Sequence, residues 1–400
     1  MKRHRFKNMI FVLVGLLLAF CNSSYGLAEP GVTDKEILVG GSLDLTGPAA
    51  FMGQGVHRGI KLYFAKVNAE GGIHGRKVNY VAEDDGYVVA KTVANYKKLT
   101  MKENVFCILG STGSVGPKAL KPYLEEDKVP MLGPYGYTSA MFRPPMRYLF
   151  NIYSTCEDHA RILMDFVKAN FKLSKPKIGL LAEDNEIGED TIRGAKMQMA
   201  KYGWGEPEIE LYKRSAIDFS SQVLRLKGKN VDVLFFPVIV SHGVSILKEC
   251  QKIDFTPYLF GAATMTDLKF LELAGESAFY GKGLRSFCTQ ASERGEAPGA
   301  KEFQQALAKY DPQNKDPNSF NLFGYGIAKV LCEGLNRAGR DLTRERLVEA
   351  LETLNGYDTG IFPPVTYGKD NRRGTDAASI LRVDKDKKTF VAETNWLSAK

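Results

Sequence analysis

EILVGGSLDLTGPAAFMGQGVHRGIKLYFAKVNAEGGIHGRKVNYVAEDD, running from Glu36 to Asp85, is the stretch from which the fold can be read. EILVGGSL has the apolar, β-rich character of a strand, a helical pattern follows from about Gly53 to Ala69, and RKVNYVA is strand-like again. Strand, helix and strand at this spacing predict a right-handed crossover in a parallel sheet. The rhythm continues with a helix from about Val89 to Met101, the strand-like run VFCILG, and a helix whose first position is taken by Pro117. Unbroken apolar residues over Val105–Leu109 fit a strand covered on both faces. Cys107, inside that run, reads as a buried thiol.

A second series repeats the first. KIGLLAEDN, a helix around Gly188–Tyr202, EIELYKR, a helix around Phe219–Lys229, VDVLFFPVIV and a helix around His242–Ile253 alternate in the same way. The strands KVNYVAEDD and KIGLLAEDN end in similar acidic turns, Glu83-Asp84-Asp85 and Glu183-Asp184-Asn185, which read as carboxylates capping the next helix rather than as a metal site. Two similar α/β lobes follow. Beyond them helical patterns come in succession near Gly299–Tyr310, Asn318–Ala338 and Thr343–Leu354, and the strand-like runs ASILRVD and TFVAETNW close the chain around a turn at Lys385–Lys388. This last part is expected to return to both lobes, giving several crossings, a hinge and a cleft.

The 400 residues, 44% of them hydrophobic, are enough for two or three domains with a full-sized core. The formal charge of +8 suggests nucleic acid, but Lys2, Arg3, Arg5 and Lys7 all precede the first apolar run. Without residues 1–28, which hold no acidic side chain, 50 basic residues face 46 acidic ones, and no dense Lys/Arg block marks a nucleic-acid footprint. The basic start, the apolar run Met9–Phe20 and the small residues after it form a signal peptide, so export is expected. Leu18-Ala19-Phe20-Cys21 offers the alternative of lipid anchoring at Cys21, although Phe20 is bulky where such boxes prefer Gly or Ala. Of the remaining cysteines, Cys107, Cys156, Cys250, Cys288 and Cys332, none forms a CxxC or a Cys/His cluster, so no metal is expected and their pairing stays open.

The most specific local feature is Gly110-Ser111-Thr112-Gly113-Ser114-Val115-Gly116-Pro117, between a strand and a helix. The glycines turn the backbone tightly and leave N–H groups, with the hydroxyls of Ser111, Thr112 and Ser114, at the positive end of a helix dipole, a place for an anion. No Lys follows in P-loop register and the spacing is GxxGxxG rather than GxGxxG, so a carboxylate fits better than a nucleotide; a tight turn with hydroxyl caps and no ligand is the plain alternative. The next strand runs into Gly133-Pro134-Tyr135-Gly136-Tyr137-Thr138-Ser139, again at a strand's carboxyl end, where open α/β sheets bind ligands. Tyr135 and Tyr137 either face that ligand or pack against the lobe. No GxSxG or HExxH is present and the five histidines are scattered, so no catalytic residue and no cofactor are expected. His242, where a strand becomes a helix, reads as a solvated helix-start histidine, with a cleft-facing position as the alternative.

Leu45 to Asp85, with its TGP turn, the Gly before the helix, Asn68-Ala69-Glu70-Gly71-Gly72-Ile73-His74-Gly75-Arg76 and a paired Asp, resembles the N-terminal signature of the leucine/isoleucine/valine-binding family of periplasmic solute-binding proteins. The likeness runs through GSTGS, LGPYGYTSAMF and LLAEDNEIGEDTIRGAK, over most of the chain after the leader. It implies a type I periplasmic binding protein: two Rossmann-like lobes, residues 29–152 plus about 286–372 and residues 153–285 plus about 373–400, joined by a multi-strand hinge. It also implies a monomer that closes on a small carboxylate or amino acid and delivers it to an inner-membrane ABC permease. Carried over, the carboxylate is held at Thr112 with Ser111 and at Gly136 with Tyr137, and the ligand's body is enclosed by Met52, Ile187 and Ile239 or Val240. Amino-acid-binding members hold the ammonium with an acidic residue in the second lobe; in the matching stretch, Leu259 to Met265, that place falls to Ala263, and Asp267 is the nearest carboxylate. A branched or aromatic acid without the amine is therefore expected, with a branched-chain amino acid as the family default. Two other classes share the outline: a sensor module that hands its ligand to a membrane receptor, and an exported α/β hydrolase or transferase.

Overall fold

The computed structural model describes residues 29–266, 268–292 and 295–400. The leader with Cys21, and Asp267, lie outside the described residues. The first sheet contains β1 (Glu36–Leu43), β2 (Lys77–Asp84), β3 (Cys107–Thr112), β4 (Met131–Tyr135) and β5 (Leu149–Phe150) in the order β2-β1-β3-β4-β5, all parallel. The second has seven strands. β6 (Ile178–Glu183), β7 (Glu208–Tyr212), β8 (Val233–Phe236), β9 (Tyr258–Gly261) and β10 (Leu284–Cys288) run parallel in the order β10-β9-β8-β6-β7. The antiparallel hairpin of β13 (Ser379–Asp384) and β14 (Thr389–Ala392) extends it at the β10 edge, while the small pair β11 (Thr366–Gly368) and β12 (Asn371–Gly374) stands apart. Strand order reverses around β1/β3 in one sheet and β6/β8 in the other, the two places where open sheets leave a crevice at strand carboxyl ends.

The helices are α1 (Ala50–Ala69), α2 (Val89–Lys97), α3 (Val115–Glu126), α4 (Cys156–Asn170), α5 (Glu186–Lys201), α6 (Ser220–Gly228), α7 (Val240–Lys252), α8 (Leu268–Ala274), α9 (Pro298–Tyr310), α10 (Ser319–Ala338) and α11 (Arg344–Glu352). α1 begins three residues before the sequence reading placed it, because Asp44 accepts from the N–H groups of Gly47 (2.5 Å) and Ala49 (2.6 Å) and fixes the turn into the helix. α2 ends at Lys97 and continues as a π turn over Lys98–Lys102. α3 starts at Val115, so Pro117 is its third residue rather than its first. The sequence reading does not place α4, α8 or the strands β5, β9, β10, β11 and β12.

One apolar cluster fills the first lobe and includes Phe303, Phe323 and Leu347 from α9, α10 and α11, so the late helices cover the first sheet. Two further clusters occupy the faces of the second sheet. The chain passes between the sheets after β5, returns after β10 and crosses again between β12 and β13. The crossing segments hold one another: Asn151 N–H donates to the Arg372 carbonyl (2.7 Å), Tyr367 Oη to the Asn151 carbonyl (2.6 Å), and Tyr153 Oη to Gln290 Oε1 (2.7 Å). Cys107, Cys156, Cys250 and Cys332 are free thiols, and burial pushes Cys107 up to about 12.

Candidate functional site

The loops after β1, β3 and β4 meet at one end of the first lobe. Asp44, fully buried just past β1, donates its backbone N–H to Thr112 Oγ1 (3.0 Å), so the Thr112 oxygen is a strut for the neighbouring loop while its O–H remains free to donate. Ser111 is buried, and its Oγ has no partner. Gly113 takes a left-handed conformation (φ 74°), and a Cβ there would stand 2.5 Å from Tyr87 Oη, so only Gly lets Tyr87 lie on the loop. Ser114 occupies the N-cap position of α3 without capping it, leaving the first-turn N–H groups open, as at any uncapped helix start. Gly136 is packed against that start: a Cβ on it would come within 2.7 Å of Ser114 Oγ. The GSTGS and GPYGYTS loops therefore do come together.

Tyr137 follows. Its ring stacks on Tyr153 at 5.0 Å, and Tyr153 stacks in turn on Phe323 at 4.9 Å. Its Oη is 2.8 Å from Tyr135 Oη, and burial keeps both phenols protonated by raising their pKa values. Tyr135 packs edge-on against Tyr137, Tyr153, Phe320 and Phe323, so of the two tyrosines it is the one spent on the lobe, whereas Tyr137 stays half-buried.

The apolar candidates are all partly exposed at corresponding ends of the two lobes. Met52 is half-buried on α1, Ile187 is half-buried as the second residue of α5, Ile239 is 39% exposed just before α7 with Val240 half-buried after it, and Ala263 is half-buried at a 3-10 turn after β9. An ion pair between Lys118 of α3 and Glu186 of α5, the residue before Ile187, spans the lobes. Phe51, 68% exposed, adds a further apolar side chain next to Met52.

Several polar residues in this region were not found in the sequence. Glu183, read there as a helix-capping carboxylate, is instead buried at the end of β6 and accepts from Arg214 Nε (2.8 Å); Asn185 caps α5, accepting from Ile187 and Gly188. Asp84 and Asp85 take N–H groups of Leu45, Gly86 and Tyr87 and so hold the first-lobe loops. His242 is buried rather than solvated, because the rings of Tyr212 and Phe219 close on it at 5.2 Å, and that burial lowers its pKa. Near the crossings, Asp190 on α5 accepts from Ser139 N–H (2.5 Å) and Oγ (2.8 Å), while buried Glu157 is held by Arg143 and Arg193. Glu183 and Arg214 lie 31 residues apart and Ser139 and Asp190 lie 51 apart, so neither pairing carries a periodic signal.

Among the described residues no three His, Cys, Asp or Glu gather as a metal site. The family model for periplasmic binding proteins matches residues 36–388. The chain belongs to the periplasmic binding protein family.

Relatives of this periplasmic binding protein include the Leu/Ile/Val-binding protein BraC3 of Rhizobium johnstonii, 24% identical over 359 residues, 89% of this chain and 94% of that one. A solved fatty acid ABC transporter substrate-binding protein from Thermomonospora curvata is 25% identical, with a TM-score of 0.80 over 93% of this chain and 95% of its own. A branched chain amino acid ABC transporter protein from Thermus thermophilus with bound valine shares the fold at 19% identity, with a TM-score of 0.78 over 92% and 97% of the two chains. The periplasmic binding protein fold with its two lobes is thus the frame for the loops described above. No described helix is long and apolar enough to cross a membrane.

Proposed function

We propose that this periplasmic binding protein is the extracytoplasmic receptor of an ABC importer, and that it takes a small carboxylate with an apolar body, a branched-chain or aromatic acid, between its lobes without chemical change. The lobes are taken as residues 29–152 with about 286–372 and 153–285 with about 373–400. The reading is carried by the uncapped start of α3 at Ser114, packed against Gly136, where open N–H groups and a helix dipole await an anion beside partly exposed apolar residues. Thr112, Ser111 and the open N–H groups of α3 beside Gly136, whose own N–H donates to the Pro134 carbonyl (3.0 Å), hold the carboxylate, Tyr137 borders it, and Met52, Ile187 and Ile239 enclose the body.

Ala263 argues against an α-amino acid. A methyl group accepts no hydrogen bond, and an ammonium left unpaired in a closed cleft would cost several kcal/mol. The Thermomonospora relative, a fatty acid transporter's substrate-binding protein, supports an amine-free acid, while the valine bound to the Thermus protein keeps an amino acid as the rival. Protein purified without denaturation and extracted for mass spectrometry is expected to yield an amine-free acid, recovered intact. Recovery of leucine, isoleucine or valine, or of a chemically altered product, would overturn the proposal.

A further inference from the structure

The carboxyl ends of β6 and β7 present a guanidinium that the carboxylate site above does not use. Arg214 lies two residues beyond β7, and its Nε and Nη2 donate to Glu183 Oε1 and Oε2 at 2.8 and 3.4 Å. The two partners differ in exposure: the Glu183 side chain is 7% exposed and that of Arg214 is 56%. A buried carboxylate thus fixes the orientation of a cation that reaches out of the lobe. Two of the five guanidinium N–H groups are taken, which leaves three to donate elsewhere.

Two buried polar atoms beside this pair have no partner, Tyr212 Oη at the end of β7 and His242 Nδ1 in the first turn of α7. Their rings meet edge to face at 5.2 Å. In the first lobe Tyr87, just past β2 as Arg214 is just past β7 in the second, rests on Gly113 of the anion loop. Lys213, next to Arg214, is already paired with Asp184 at the surface.

We propose that Arg214 is the second lobe's anchor for the ligand's carboxylate, held by Glu183 as a positioning residue, so that closure sets the anion between the Ser111–Ser114 loop and the guanidinium. This inference rests on the carboxylate reading of the cleft and deepens it: the ligand class is a monoanionic acid whose charge is read from both lobes. Arg is suited to this because its planar fork serves two carboxylates at once, Glu183 on one edge and the ligand on the other.

The test uses 4-methylpentanoate and benzoate, each paired with its uncharged amide, titrated calorimetrically into the wild-type protein and into Arg214→Gln, Arg214→Lys and Glu183→Gln. Arg214→Gln is expected to lose at least tenfold in affinity for the acid and to bind the amide within twofold of wild type, with Arg214→Lys intermediate. Glu183→Gln is expected to weaken the acid less than Arg214→Gln does. Because Arg214→Gln leaves a buried carboxylate alone, the double variant Arg214→Gln/Glu183→Gln replaces it if the melting temperature without ligand falls. Equal binding of the acid by wild type and the Arg214 variants overturns this inference and leaves the carboxylate reading standing, and so does an equal loss of acid and amide. A wild type that binds neither acid overturns both.

Discussion

His159 is buried beneath Tyr137, its ring stacked flat on Phe287 at 4.8 Å and its Nε2 2.9 Å from Ser154 Oγ. Burial pushes its pKa down from 6.5 to about 3. The unfolded chain binds the proton near pH 6.5 and the folded chain only near 3, so acid favours unfolding throughout that window and stability rises with pH up to about 6.5. Each unit of acidification inside the window removes up to about 1.4 kcal/mol through this one group. Denaturant melts at pH 7 and 5 are expected to show a smaller loss of stability on acidification for His159→Gln than for wild type; equal losses would contradict the assignment. At this scale the sequence revealed what is local. The glycines and hydroxyls of GSTGS and the strand end before them are neighbours in the chain, so their chemistry could be read directly. Asp44 with Thr112, Glu183 with Arg214 and Ser139 with Asp190 meet only after the sheets form, and nothing in the spacing of those residues announces the pairing.

Helix α10 approaches α1 through backbone rather than side chains. A Cβ on Gly324 would stand 2.2 Å from the Val56 carbonyl oxygen, and one on Gly59 would stand 2.0 Å from that of Asn321. The helices can lie this close only because each offers a bare Cα, and the contact seats the late helix on the first sheet. Gly324→Ala must push the two apart, at about 1–3 kcal/mol for overpacking. Calorimetry is expected to show a melting temperature several degrees lower, and an unchanged one would show that the helices are not in this contact. Helix starts lie up to three residues from where periodicity puts them, and at three of them a side-chain cap sets the start. Asn185, Asn318 and Thr343 each accept a first-turn N–H and so stand just outside the helix they open. α4 has its own sequence signal, the capping box of Thr155 and Asp158 before a stripe of apolar residues. It begins at a crossing between lobes, where the alternation of strand and helix is broken, so periodicity alone does not predict it.

On the scale of the whole molecule, the alternation of strands and helices was enough to predict two α/β lobes, since parallel strands with covering helices admit few arrangements. The antiparallel hairpin added to the second sheet and the joining of late helices to the first lobe depend on long-range contacts, and the sequence suggested only that the tail returns to both. The lobes meet in a polar clasp near the crossings: Ser139 on Asp190, with Glu157 between Arg143 and Arg193. Burial pushes the Glu157 carboxyl up, but the two guanidinium groups outweigh it and hold the carboxyl below its usual range, so the clasp keeps its charge at neutral pH. Both this clasp and the Lys118–Glu186 pair tie segments that follow β3 and β4 of the first sheet to α5, which follows β6 of the second.

The proposed ligand is a carboxylate without the amine. The most direct test of this is a thermal-shift comparison on ligand-stripped, refolded protein of leucine, valine and phenylalanine against the same carbon skeletons lacking the amine and against benzoate. A ligand of the folded state at about 100 times its dissociation constant adds about 2.7 kcal/mol, enough to move the melting temperature by a few degrees. The amine-free acids are expected to stabilise the protein and the amino acids are not. Stabilisation by the amino acids alone would contradict this, and would mean that another group reaches the ammonium where Ala263 cannot.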